Sequence, residues 1–102
     1  MKKYDKLVRD KIPAIIRESG ASCKVRTIKP DEIETYYRRK IQEELDELFE
    51  NPCAEEMADV MEVVDSLRTV LNLSIEKVID AKCAKRNDRG AFKNGTILVH
   101  VD

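Results

Sequence analysis

The strongest constraint in this sequence is the placement of four acids about one dipeptide. Glu44 and Glu47 precede Asn51-Pro52, and Glu56 and Asp59 follow it; on each side the nearer acid is four residues away and the farther seven. A spacing of three is roughly one helical turn, about 4.5 Å of rise. If the dipeptide turns an antiparallel helical hairpin, Glu47 stands level with Glu56 and Glu44 with Asp59, on axes about 8–10 Å apart. All four carboxylates then reach one small volume.

Helical phase gives their direction. At about 100° per residue, Val60, Val63, Val64, Leu67, Val70 and Leu71 share one arc, which contains Glu56 and has Asp59 at its edge. On the preceding helix Ile33, Tyr37, Ile41 and Leu48 form the apolar stripe, with Glu44 inside it and Glu47 on its shoulder. These four are expected to face inward, whereas Glu43, Asp46, Glu50 and Glu55 are expected on solvated faces. Ionised carboxylates gathered against apolar surface repel one another and lose hydration. A divalent cation relieves both penalties, and an all-oxygen set suits Mg²⁺, with Mn²⁺ as the alternative.

Composition narrows the function classes. A chain of 102 residues is expected to form one domain, residues 1–102, with a modest core that self-association can enlarge. Nineteen basic and 20 acidic residues leave a net charge of −1, so no overall field attracts a nucleic acid polymer or an anionic membrane. Any phosphate site is therefore local. No apolar run is long enough to span a bilayer and no signal-type segment follows the first residues, which points to the cytoplasm. Cys23, Cys53 and Cys83 lack a Cys-x-x-Cys pair, and His100 is the one histidine, which argues against zinc and against a disulfide framework.

The rest of the chain reads as mainly α. Lys6 to Gly20 is expected to be helical, with Asp10 as N-cap and Pro13 in the first turn. Lys6, Arg9 and Lys11 cluster at its start, as either a solvated basic end or a phosphate or partner contact. Pro30 opens a helix running to about Glu50. Asn51 as N-cap with Pro52 at the first helical position starts another, running to about Leu71. Ser74 caps a last helix that ends between Asp88 and Gly90 and presents Asp80, Lys82, Lys85, Arg86 and Arg89 on its polar face. Residues near 24–28 alternate and those at 96–101 are β-rich after the Asn94-Gly95 turn, so a small β element is expected there.

Glu43-Glu44-x-x-Glu47 followed by Glu56-x-x-Asp59 resembles the signature of the MazG-like all-α nucleoside triphosphate pyrophosphohydrolases, a superfamily that includes dimeric dUTPases and phosphoribosyl-ATP pyrophosphohydrolase. Tyr4-Asp-Lys-Leu-Val-Arg-Asp-Lys-Ile-Pro13 and Arg89-Gly-Ala-Phe92 resemble the opening and closing motifs of its small house-cleaning branch. The short interval between the acid pairs fits that branch. Asp80-x-Lys82-x-x-Lys85-Arg86 matches the downstream basic run of MazG only loosely.

The resemblance implies a MazG-like helical bundle that hydrolyses the α–β phosphoanhydride of a nucleotide. It makes Glu44, Glu47, Glu56 and Asp59 the Mg²⁺ ligands. For such a reaction Glu43 is the candidate acceptor of the attacking water's proton. Lys82, Lys85, Arg86 and Arg89, with Lys6, Arg9 and Lys11, are the candidate phosphate contacts. The superfamily also implies a homodimer or homotetramer enclosing the substrate. Two rivals are a di-iron carboxylate bundle, disfavoured because no helix carries a histidine, and a catalytically silent nucleotide- or metal-binding dimerisation module.

Overall fold

A computed structural model describes residues 2–102, which are mainly helical: α1 (Ile12–Glu18), a 3₁₀ turn (Pro30–Glu32), α2 (Ile33–Glu50), α3 (Ala54–Val70) and α4 (Ile75–Arg89). Helix starts depart from the sequence reading in three places, one of them α2, whose expected opening at Pro30 is the 3₁₀ turn, with the α-helix starting at Ile33. α1 begins at Ile12 with Lys11, not Asp10, at the cap and no side-chain capping bond, although Pro13 sits in the first turn as expected. Asn51 closes α2 instead of opening α3: its N–H donates to Glu47 O at 3.0 Å, and its φ of −141° and ψ of 77° are non-helical. Proline at the next position disfavours the helical region for Asn51. The first α3 bond is therefore delayed to Met57 N–H donating to Cys53 O, at 3.1 Å.

Neither 24–28 nor 96–101 forms a strand, which corrects the expected β element. β-branched residues favour a pleated, half-buried surface. Ile97, Leu98, Val99 and Val101 are instead 78–84% exposed, so nothing rewards their extension.

The chain forms two compact units, dividing between Leu67 and Arg68. In the first, a side-chain hydrogen bond and the acid group described below join α2 to α3. Tyr37, its one buried hydrophobic residue among those described, shares a 2.7 Å hydrogen bond with Ser66. Tyr37 lies seven residues before Glu44 and Ser66 seven after Asp59, so this bond and the acid pairs share one register. Ile33, Ile41, Leu45 and Leu48 of α2 and Val60, Val63 and Leu67 of α3 are half-buried along the same stripes.

The first unit also contains an amino-terminal strap, residues 2–11 ahead of α1. Tyr36 OH donates to Asp5 Oδ1 at 2.6 Å, and Arg26 donates to both Glu32 oxygens at 2.8 Å and to Tyr36 OH at 3.0 Å. The tyrosine thereby ties the strap to α2.

The second unit begins with the end of α3. Leu73 N–H donates to Arg68 O, and Asn72 N–H to Thr69 O, around a left-handed Asn72 with φ of +58°. That bond pair is a Schellman closure, with asparagine in the place usually taken by glycine. Ser74 then caps α4, accepting from Lys77 N–H, and Gly90 ends it at φ of +87°. Every residue from Thr69 onward is exposed, including Ile75, Val78 and Ile79 of α4.

Candidate metal centre

Glu44 and Glu47 lie one turn apart on α2, and Glu56 and Asp59 one turn apart on α3. One carboxylate oxygen of each lies within 4.8 Å of the others. Glu44 is 6% exposed and the other three are half-buried. Oε2 of Glu44 and Oε2 of Glu56 are buried and have no hydrogen-bond partner among the described residues. Leaving such an oxygen unpaired costs about 1–3 kcal/mol, and more for a charged group. Two orphaned oxygens in a four-carboxylate group fit a hard divalent cation, which takes oxygen ligands only.

Two cations touch oxygens of this group, and a third touches the adjacent Glu43. Lys40 Nζ is 3.1 Å from Glu44 Oε1 and 3.4 Å from Glu43 Oε2. Lys6 reaches Glu43 Oε1 at 2.9 Å, and Arg9 reaches Asp59 Oδ1 at 2.7 Å. The strap thus crosses both helices at the level of the acids.

The local fields differ between neighbouring carboxyls. Glu47 is raised above its ordinary value, first by the charge of Glu44, then by desolvation and by Glu56 and Glu43. Glu43 is lowered, chiefly by its hydrogen bond from Lys6 with help from Lys40, and Lys6 is raised by the same bond. With both its oxygens engaged, Glu43 is a weaker proton acceptor than a free carboxylate.

Of the other candidates, Lys11 makes no ion pair among the described residues. Lys82, Lys85, Arg86 and Arg89 lie exposed on α4 in the second unit, with Arg89 3.8 Å from Asp88. A shallow groove of about 580 Å³ along α2, lined by Arg38, Arg39, Gln42, Glu43, Asp46 and Glu47, borders the acid group. Lys40 escaped the sequence reading, although its place four residues before Glu44 on the same face was a usable signal.

Comparison of the chain with family models, curated proteins and solved structures found no match.

Proposed function

We propose that this chain is a Mg²⁺-dependent nucleoside triphosphate pyrophosphohydrolase, releasing a nucleoside monophosphate and pyrophosphate from an ordinary or a noncanonical nucleotide. In this reading α2 and α3 are the central hairpin of a MazG-like bundle. The observation that carries it is the convergence of Glu44, Glu47, Glu56 and Asp59 with two buried, unpaired oxygens. These four hold Mg²⁺, or Mn²⁺ in its place. The bound ion supplies charge neutralisation at the phosphates and a lowered pKa for the attacking water.

The chain's own groups account for the rest. Lys6 and Arg9, at 2.9 and 2.7 Å from Glu43 and Asp59, exchange those carboxylates for phosphate oxygens when a nucleotide enters. Departure of Lys6 frees Glu43 Oε1 to take the water's proton, so binding and proton transfer are linked through one lysine. Lys11, Lys82, Lys85, Arg86 and Arg89 are the further cations proposed for the pyrophosphate. A second copy of the chain is proposed to wall the base and sugar, giving a homodimer or homotetramer.

The test incubates the protein with Mg²⁺ and a panel of ordinary and modified nucleoside triphosphates and follows pyrophosphate release. Turnover is expected for the parent and for Glu50→Ala, and is expected to fall by at least 100-fold, an order-of-magnitude figure, in Glu56→Ala and Asp59→Ala. Nucleotide binding without turnover in the parent overturns the hydrolase in favour of a silent binding module.

A further inference from the structure

The acid group is supported by a lysine that neither the motif nor the proposed chemistry requires. Glu44 is the only buried charged residue among those described, and its two oxygens have different fates. Oε1 is paired with Lys40, whose side chain is 14% exposed; Oε2 is buried with no hydrogen-bond partner among the described residues, and one oxygen of Glu44 lies within 4.8 Å of those offered by Glu47, Glu56 and Asp59.

Helix stability does not explain Lys40. In an i,i+4 pair a glutamate before a lysine is the more favourable order, and here the lysine comes first. Such pairs contribute only about 0.3–0.5 kcal/mol on a helix surface, and a lysine drawn to near-burial gives up hydration and rotamer freedom.

Geometry does explain it. The last torsion of a glutamate is broad and roughly two-fold, so an unrestrained carboxylate samples many orientations. Fixing one oxygen on an ammonium fixes the other. The same ammonium is 3.4 Å from Glu43 Oε2, and Lys6 holds the other Glu43 oxygen, so Lys40 is itself restrained from the far side.

We propose that Lys40 is a positioning residue of the cation site, gripping Glu44 Oε1 so that Oε2 is aimed at the point shared by Glu47, Glu56 and Asp59. This rests on the acids binding a divalent cation, one part of the function proposed above, and does not depend on turnover. It also opposes simple electrostatics. A positive charge beside a cation site weakens binding through the field alone, so removing a bystander lysine tightens the site. Removing a positioning lysine loosens it, and loss of an outer partner of a metal ligand typically costs about 10–100-fold in affinity.

The experiment titrates Mn²⁺ alone into the full chain by calorimetry, without nucleotide, for the parent, Lys40→Met, Lys40→Gln, Lys40→Arg and Arg38→Met. The two neutral Lys40 variants are expected to bind Mn²⁺ about 10–100-fold more weakly. Lys40→Arg, which keeps a charged donor, is expected to recover most of that loss. Arg38→Met removes a positive charge from the same helix that is paired with Glu34 and not with the four-acid group, and is expected to stay within about two-fold of the parent, as a screened surface charge should. Should Lys40→Met fail to fold, Lys40→Gln carries the same expectation. Equal or tighter binding in the folded neutral variant overturns the role of Lys40 while leaving the metal centre intact. Failure of the parent to bind Mn²⁺ overturns both.

Discussion

At the residue scale the informative group is Glu47, because its surroundings set a sign that can be measured. Its carboxyl titrates above the ordinary 4.5, first through the charge of Glu44. The folded state therefore binds more protons than the unfolded chain over the interval above 4.5, and Glu47 costs stability progressively as pH rises through that interval. Glu47→Gln removes the cost. With a chelator present, thermal midpoints of the variant and parent are expected to diverge as pH is raised from 4.5 to 8, the variant being the more stable. Added Mg²⁺ is expected to close or reverse the gap, since a ligand that binds only the folded state raises its midpoint. A gap that narrows with rising pH in chelator would contradict the account.

Residues also show what the sequence made legible at the site. The inward phase of Glu44 followed from the 3.6-residue period, because Ile41 and Leu48 fix which side of α2 meets an apolar neighbour. The pairings of Lys6 with Glu43 and Arg9 with Asp59 did not follow. They join residues 37 and 50 positions apart, and nothing in a strap without periodicity says where it will lie.

At the scale of elements, the helices were readable where a terminal residue carries its own conformational preference: Pro30 ahead of α2, Ser74 at the cap of α4, Gly90 at its end. Asn51-Pro52 misled because the same dipeptide satisfies two rules. Asparagine is a good N-cap, yet a residue before proline is also driven out of the helix it follows, and here the second effect prevailed. The strand readings failed for a different reason: the preference of Ile97, Val99 and Val101 for extended structure needs a neighbouring strand, which local sequence does not supply.

The pairing of α2 with α3 has its own test. Tyr37 OH and Ser66 Oγ are 2.7 Å apart beside the buried ring, so Tyr37→Phe and Ser66→Ala each break one bond without removing the aromatic packing. A double-mutant cycle by chemical denaturation is expected to give a coupling energy of about 0.5–1.5 kcal/mol. Additive losses would mean that the bond does not hold the helices in register.

At the scale of the whole molecule, each unit leaves apolar side chains uncovered. Met57, Met61 and Val64 form an exposed row on α3 at 46%, 64% and 48%, and Ile75, Val78 and Ile79 are exposed on α4. Contiguous apolar rows of this kind are characteristic of surfaces that meet another polypeptide. Sedimentation of the purified protein is expected to show a species heavier than one chain, and Met61→Glu to shift the distribution toward the single chain. A parent that sediments as one chain at micromolar concentration would remove the second copy from the proposed function.

The strap has a further consequence, for the order in which the chain folds. α2 and α3 can zip together from the link between them, a short excursion, whereas seating Arg9 against Asp59 closes a loop of 50 residues. Loop closure charges entropy before contact returns any of it. The nascent acidic cleft is thus expected to be complete in its carboxylates before it acquires its arginine clasp, and the interval between those two events to be when a passing cation meets the least competition.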